Sequence, residues 1–408
     1  MSKITRLSVM MFLQFFIWGA WYVTIGNYMT AMDMADLTHW PYTVNPLAAI
    51  ISPFFLGMIA DRYFATEKVL GVLHILGGVV MFMVPQTSGS PVLFIGMLAL
   101  YNLCYMPTLG LTNSLAFHHI TDQEKQFPMI RVFGTIGWIV AGLFISFVLA
   151  GFVSGDRLPD ETALPLYTAA VASVLLGVFS FFLPHTPPSN KGAAVSIRSI
   201  LGVDAFKQLK SKPFLAFLAS SFLISIPLAA YYNFAPIFVN AAGLSNPAAT
   251  LSLGQVSEVV FMLLMPIFFI RLGVKWMLVV GMGAWVLRYL LFALAAPAGI
   301  FWMILGGILM HGICYDFFFV TGQIYVDKKS TPEIRGQAQG MLVLVTYGLG
   351  MFIGAQIAGN VFNAFLAGEA ALSAAQWQDF WYIPAAFAAA IMVFFMFTFN
   401  DKVKTEDA

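Results

Sequence analysis

The chain has 408 residues, of which 60% are hydrophobic and only 10% charged, and its formal net charge is +1. A soluble domain carries about a quarter charged residues, so this composition excludes an ordinary water-soluble fold and favours a protein that lies mostly in lipid. The small net charge also excludes a nucleic-acid partner held by electrostatic attraction. Cys104 and Cys314 stand alone inside apolar segments, so neither a disulfide framework nor a metal site is expected.

Apolar segments long enough to cross a bilayer recur along the whole chain. A membrane-spanning helix needs about 20 mostly apolar residues. The segments that meet this requirement have approximate bounds of 8–30, 43–60, 67–85, 90–118, 128–152, 164–184, 213–241, 248–271, 275–296, 299–326, 334–366 and 377–399. The sequence therefore predicts an all-α membrane protein with twelve transmembrane helices.

Lysine and arginine residues concentrate on one side of these spans. The loops on that side and the two termini contain Lys3, Arg6, Arg62, Lys68, Lys125, Lys191, Arg198, Lys207, Lys210, Lys212, Arg271, Lys275, Lys328, Lys329, Arg335, Lys402 and Lys404. The loops on the other side contain only Arg157. Because short basic loops remain in the cytoplasm, both termini are predicted to be cytoplasmic.

The longest polar connector divides the spans into six plus six. This division predicts an N-terminal half over 1–184, a cytoplasmic linker over 185–212 and a C-terminal half over 213–408. The halves resemble each other, since Pro128-Met129-Ile130-Arg131 opens span five and Pro332-Glu333-Ile334-Arg335 opens span eleven, 204 residues later. Parallel repeats of this kind predict a substrate site at the interface between the halves, near the membrane midplane.

The loop after span two resembles a known transporter signature. It reads Gly57-Met58-Ile59-Ala60-Asp61-Arg62, with Lys68 following, and is similar to the signature loop of the major facilitator superfamily. The resemblance implies two six-helix halves of major facilitator type, with Asp61 and Arg62 in a cytoplasmic gating loop. Ordinary loop charges are the alternative interpretation.

A narrower resemblance covers nearly the full length. Its segments are Phe12-Leu13-Gln14-Phe15-Phe16-Ile17-Trp18-Gly19, Tyr105-Met106-Pro107-Thr108-Leu109-Gly110-Leu111, Phe127-Pro128-Met129-Ile130-Arg131 with Gly134-Thr135-Ile136-Gly137, Gln255-Val256-Ser257-Glu258 and Asp316-Phe317-Phe318. In this order they resemble the bacterial nucleoside:proton symporters. The resemblance implies nucleoside import across the bacterial inner membrane by proton symport through alternating access. It implies no cofactor, with a proton as the coupling ion. It also implies that the partners are the nucleoside and the lipid bilayer, and we expect a monomer.

Span five carries a face of polar and aromatic side chains. Arg131, Thr135 and Trp138 follow one another at steps of four and three, so they share one side of a helix. A guanidinium and a hydroxyl suit the vicinal hydroxyls of a ribose, and a large ring suits the flat surface of a base. The triplet is therefore predicted to bind substrate. The alternative is that Arg131 lies near the cytoplasmic end and only reaches the lipid headgroups.

Two spans of the second half carry buried acids, which cost about 2.5–3.5 kcal/mol each to insert. Gln255 and Glu258 share a face of span eight and are predicted to bind substrate hydroxyls or a base amino group, with structural packing as the alternative. On span ten, Tyr315 is predicted to bind substrate and Asp316 follows it. A buried carboxyl group can take and release a proton, so Asp316 and Glu258 are candidate proton carriers. A static role for Asp316 is equally open, and His311 is interpreted as a core residue.

Span seven departs from the resembled family. Ala229 and Tyr232 stand where other members carry Gln and Asn, and Phe319 replaces an Asn on span ten. These changes remove hydrogen bonds to a base edge, whereas Tyr232 adds a ring for stacking and is predicted to bind substrate. The base preference stays open, and another small polar substrate, such as a sugar or glycoside, is the alternative function.

An enzyme is not expected. The sequence contains no His-Glu-x-x-His run or other recognised catalytic set. Arg288, which stands between aromatic residues in span nine, is interpreted as part of a structural ion pair with Asp316 or Glu258.

Overall fold

A computed structural model describes residues 2–55, 63–188 and 197–400, and every regular element in these ranges is helical. The helices up to the central connector are α1 (Lys3–Tyr22), α2 (Ile25–Ala31), α3 (Pro41–Phe55), α4 (Thr66–Met83), α5 (Pro91–His119), α6 (Gln123–Leu143) and α7 (Leu164–Ser180). Those that follow are α8 (Ile197–Ile200), α9 (Val203–Leu209), α10 (Lys212–Ala241), α11 (Pro247–Ala295), α12 (Phe301–Leu309), α13 (His311–Tyr315), α14 (Thr321–Lys329), α15 (Arg335–Val343), α16 (Met351–Leu366) and α17 (Ala374–Thr398).

Nine helical runs within the described ranges are long and apolar enough to cross a membrane. The longest, Pro247–Ala298, contains two predicted spans, because Gly273 has a φ of 64° and interrupts the helix between them. Glycine adopts this left-handed conformation without the steric cost that a side chain would add. The predicted all-helical membrane class is confirmed, and the count of twelve spans stays a prediction.

The chain forms two compact units. The first contains Met1–Val195 with Ser245–Ser252, and the second contains Ser196–Leu244 with Leu253–Ala408. The turns that open α11 therefore pack with the first unit, where the backbone N–H of Ala249 donates to Ser146 Oγ at 3.0 Å. The predicted boundaries at 184 and 213 stay a prediction.

The predicted gating residues Asp61 and Arg62 lie outside the described residues, as does part of the predicted linker. Their assignment to a cytoplasmic gate remains an expectation from the sequence.

Glycine residues let α6 lie directly against α1. A Cβ atom on Gly137 would collide with the backbone of Phe12, and one on Gly134 would lie 2.7 Å from the Phe15 ring. Small residues at such contacts allow two helix backbones to approach closely in a membrane. This packing places the polar face of α6 beside the aromatic side chains of α1.

Two local features of the helices concern the site. α10 continues through Pro227 and Pro236, the helix breakers of span seven. Between α13 and α14, residues Asp316–Val320 form a π-helix, which begins at the acid that the sequence marks as a proton carrier. Single-turn π-helical segments inside α-helices occur often at functional sites, and no sequence pattern signalled this one.

Candidate functional site

The first unit brings Arg131, Thr135 and Trp138 together on α6, where each is half-buried. The Arg131 guanidinium lies 4.1 Å from the centroid of the Phe15 ring, which is a cation–π contact. Trp138 packs edge-on against Trp18, with ring centroids 5.5 Å apart. The three predicted residues thus share their surface with the rings of Phe15 and Trp18 from α1. We call Arg131, Thr135, Trp138, Phe15 and Trp18 together the α6 face.

Tyr105 of α5 extends this aromatic cluster. Its ring lies 6.0 Å from that of Trp18, and its hydroxyl donates to the backbone oxygen of Gln14 at 2.5 Å. Phe15, Trp18 and Tyr105 are not among the site residues predicted from the sequence. Their signal was present, because all three lie in the segments that resemble the nucleoside:proton symporters.

In the second unit, Gln255 and Glu258 of α11 converge on His311 of α13. Glu258 Oε2 lies 3.8 Å from His311 Nε2, and Gln255 Nε2 lies 3.4 Å from the same ring nitrogen. Both α11 side chains are half-buried, whereas His311 is buried. His311 therefore joins the predicted pair, although the sequence alone favoured a core residue at this position.

Aromatic rings enclose this imidazole on several sides. Tyr231 and Tyr315 stack on it, with ring centroids 5.6 and 5.8 Å away. Tyr232 meets it edge-on at 6.2 Å. The predicted residues Tyr232 and Tyr315 thus lie with Gln255 and Glu258 around His311, and we call these residues the His311 cluster.

Asp316 is completely buried, and neither carboxyl oxygen has a hydrogen-bond partner in the part of the chain that the structure describes. Glu258 is close enough to act on it electrostatically. An unpaired charge in such an environment is costly, so burial favours the neutral acid.

Arg288 does not form the ion pair that we expected from the sequence. Within the described ranges it pairs with neither Asp316 nor Glu258, and its Nη atoms have no hydrogen-bond partner. Its Nε donates to the Gly307 oxygen at 2.9 Å, and its guanidinium lies 4.0 Å from the centroid of the Tyr231 ring. The π-surface of Tyr231 thus takes the place of the expected carboxylate.

Two of the departures from the resembled family are packing positions. Ala229 is fully buried, and its Cβ would lie 2.9 Å from a Cβ added to Gly354 of α16. Phe319 packs on Trp285 and Tyr315, with ring centroids 5.7 and 5.2 Å away. The lost amides are therefore replaced by helix contacts and a ring cluster.

Comparison with known proteins decides what kind of protein carries this arrangement. The model of a family described as nucleoside H+ symporter matches residues 1–404. The chain belongs to the nucleoside H+ symporter family. It is accordingly a multi-pass transporter of the inner membrane that moves nucleosides together with protons.

Relatives of this nucleoside H+ symporter extend along its whole length. YegT of Escherichia coli is 40% identical over 407 residues, which cover 98% of this chain and 95% of YegT. The nucleoside permease NupG of Escherichia coli is 31% identical, covering 97% of this chain and 96% of NupG. The xanthosine permease of the same organism is 32% identical, covering 98% and 96%.

The symporter also shares its fold with solved transporters. The crystal structure of NupG superposes with a TM-score of 0.85 at 29% identity, covering 98% of this chain and 100% of the other. The structure of the POT family transporter PepTSo superposes with a TM-score of 0.69 at 15% identity, covering 96% of this chain and 97% of the other. These neighbours show a transporter fold of major facilitator type.

Proposed function

We propose that this symporter binds its nucleoside through the α6 face and the His311 cluster, and that Asp316 or Glu258 carries the coupling proton. Transport then proceeds by alternating access, with both termini in the cytoplasm and without a catalysed reaction. The observation that carries the proposal is that Asp316 is buried close to Glu258, and that its carboxyl oxygens have no hydrogen-bond partner among the described residues. Such a pair of acids supplies a proton site in a bilayer, where ionisable groups are otherwise rare.

The two clusters offer complementary groups for a nucleoside. Arg131 and Thr135 provide donors for ribose hydroxyls, and the rings of Trp138 and Trp18 provide a surface for the base. Glu258 and Gln255 provide acceptors and a donor for hydroxyl or amino groups. Charged hydrogen bonds of this kind contribute about 1.5–3 kcal/mol each, so a few of them account for selective binding of an uncharged ligand.

The proton carrier is assigned by comparing two isosteric variants. A carrier that is permanently neutral still exchanges substrate across the membrane, but it cannot use the proton gradient to concentrate substrate. We expect Asp316→Asn to retain counterflow of tritiated nucleoside in proteoliposomes and to lose accumulation driven by an inward proton gradient. If Asp316→Asn accumulates nucleoside like wild type, Asp316 is structural and the carrier role passes to Glu258, which Glu258→Gln tests in the same assay.

The substrate class is tested on the wild-type protein. Proteoliposomes should accumulate tritiated uridine or adenosine when the interior is alkaline, and a protonophore should abolish the accumulation. An excess of unlabelled nucleoside should compete, whereas ribose or maltose should not. Competition by a sugar or glycoside, together with failure of all nucleosides, would instead favour the alternative substrate class that the changes at Ala229, Tyr232 and Phe319 leave open.

A further inference from the structure

A buried histidine in the first unit joins four helices through side-chain hydrogen bonds. His74 Nε2 of α4 lies 2.8 Å from Gln14 Oε1 of α1, and His74 Nδ1 lies 3.1 Å from Ser173 Oγ of α7. Gln14 Nε2 donates to Thr108 Oγ1 of α5 at 2.7 Å. All four side chains are at most 1% exposed, so these bonds form without competition from water.

The hydrogen atoms in this network can be assigned from its connections. The Thr108 hydroxyl donates to the Tyr105 backbone oxygen at 2.6 Å, so its oxygen accepts from the Gln14 amide nitrogen. The Gln14 amide oxygen therefore faces His74, and because it can only accept, His74 Nε2 carries hydrogen. The Ser173 hydroxyl donates to the backbone oxygen of His74 at 2.9 Å and also lies 3.1 Å from Nδ1, so beside a neutral imidazole it shares its hydrogen between these two acceptors. Each of these side-chain groups has a partner in this arrangement.

The environment of the imidazole favours this neutral tautomer. In the described ranges its ring nitrogens face the uncharged side chains of Gln14 and Ser173. A buried imidazole without an anionic partner is stable in its uncharged form. His74 Nε2 thus donates to Gln14, while Nδ1 faces the Ser173 hydroxyl.

The network lies directly behind the aromatic part of the binding surface. The ring of Tyr105 meets His74 edge-on at 5.9 Å, and its hydroxyl binds the backbone of Gln14. On its other side Tyr105 contacts Trp18, which in turn contacts Trp138. A change in how α1 and α5 are held together is therefore transmitted to the rings that meet the substrate.

We propose that His74 is a positioning residue for substrate binding, which acts through its Nε2–H bond to Gln14 rather than by contact with the substrate. This inference rests on the proposed function, because it assumes that the α6 face binds the nucleoside. It assigns to His74 control over affinity, and not over proton coupling. The maximal rate of exchange should therefore change little when this bond is removed.

Two polar substitutions separate this role from the filling of space. Glutamine places an amide nitrogen near the position of Nε2, whereas asparagine reaches only the position of Nδ1. We expect His74→Gln to bind tritiated uridine or adenosine with a Kd within about threefold of wild type. His74→Asn and His74→Leu should raise Kd about tenfold or more, the effect of one buried hydrogen bond, with the maximal counterflow rate nearly unchanged. The exposed His118 supplies the control, His118→Leu, which should leave Kd unchanged.

A double-mutant cycle tests whether Gln14 is the partner. Gln14→Leu and His74→Leu each remove the bond between these two residues, so the loss of affinity in the double variant should be clearly smaller than the sum of the two single losses. The ratio of the His74→Gln Kd to the wild-type Kd should be constant from pH 5.5 to 8, since a neutral imidazole and an amide do not titrate there.

Three outcomes would overturn the proposal: wild-type Kd in His74→Asn, equal losses in His74→Gln and His74→Leu, or additive effects of Gln14→Leu and His74→Leu. A Kd ratio that varies with pH would overturn the neutral tautomer. If the Leu variants fail to fold, the comparison of Gln with Asn still decides the matter. Absence of nucleoside binding by wild type would instead refute the proposed function.

Discussion

Arg131 and Glu258 are the charged side chains that the two candidate clusters offer to an uncharged ligand. Each is half-buried, so a ligand hydrogen bond to it is partly shielded from water. We expect Arg131→Ala and Glu258→Gln each to weaken nucleoside binding about tenfold or more, since a charged hydrogen bond contributes about 1.5–3 kcal/mol. Equilibrium binding of tritiated nucleoside to purified protein measures the loss.

Matched controls for both variants lie on exposed loops. Arg157→Ala and Glu369→Gln make the same chemical changes at exposed positions outside the helices and should bind like wild type. Unchanged binding in both Arg131→Ala and Glu258→Gln would place the substrate elsewhere in the molecule.

Asp160 is a second buried acid, in the short 3-10 helix Pro159–Glu161 that precedes α7 and lies outside the membrane-spanning segments. Burial raises the pKa of Asp160 to about 7, from 3.8. The folded protein therefore keeps this proton between about pH 4 and pH 7, where the unfolded chain loses it. The free energy of unfolding then falls as the pH rises through this window, and the whole of this destabilisation is present above pH 7.

Asp160→Asn should remove this pH-dependent destabilisation. We expect the variant to melt about 2 °C or more above wild type at pH 8, given roughly 2–4 °C per kcal/mol in large domains, and to gain less at pH 5. Thermal unfolding in detergent at the two pH values checks the difference. Asp156→Asn, at an exposed position of the same connection, should show no such pH-dependent gain, and an equal gain at both pH values for Asp160→Asn would contradict the assignment.

At the scale of helices, the contact between α1 and α6 depends on the absence of a side chain at Gly137. A methyl group there would meet the backbone of Phe12, which cannot move aside as a flexible side chain can. Overpacking of this kind costs about 1–3 kcal/mol, so Gly137→Ala should lower the apparent Tm by about 2 °C or more. It should also weaken nucleoside binding, because Arg131, Thr135 and Trp138 shift relative to Phe15 and Trp18.

Gly96 provides the control for this element. It also lies inside a helix, α5, but nothing is within 4 Å of a Cβ added there. Gly96→Ala should therefore match or exceed the stability of wild type, since alanine is the better helix former. Equal destabilisation by both substitutions would show that helix propensity, and not the contact with α1, explains the Gly137 effect.

The prolines of α10 and the π-helix at Asp316 show where local sequence is a poor guide to helix geometry. Pro227 and Pro236 are residues that commonly interrupt a helix, yet α10 is continuous from Lys212 to Ala241. A proline inside a helix removes one backbone hydrogen bond, and in a membrane the surrounding helices can compensate. Conversely, the π-helix at Asp316–Val320 has no local sequence signal, because it depends on how neighbouring helices pack.

At the scale of the whole molecule, the basic residues predict which loops face the cytoplasm. Residues 185–212 should lie inside and residues 152–163 outside. In a background that lacks Cys104 and Cys314, Lys207→Cys should resist a membrane-impermeant thiol reagent added to intact cells, whereas Asp156→Cys should react. Both positions are exposed, and disruption of the cells should make Lys207→Cys reactive. Equal labelling from outside would contradict the predicted orientation.

The sequence by itself determined the properties that depend on composition and on local periodicity. Hydropathy indicated an all-helical membrane protein, and five motifs in order indicated the symporter family. Helical spacing placed Arg131, Thr135 and Trp138 on one face of α6. These predictions succeed because the bilayer imposes a length and a polarity on each span, and because the 3.6-residue repeat relates neighbours on a single helix.

Only the tertiary structure decided which distant residues meet. Gln14 and His74 are 60 positions apart, and Gln255 and His311 are 56 apart. The sequence gives no register for such pairs, since their contact depends on which helices pack together and how each is rotated about its axis. For the same reason the sequence predicted an ion pair between Arg288 and an acid, whereas packing placed its guanidinium against the ring of Tyr231. A buried charge must find some partner, but the packing of the surrounding helices selects which one it finds.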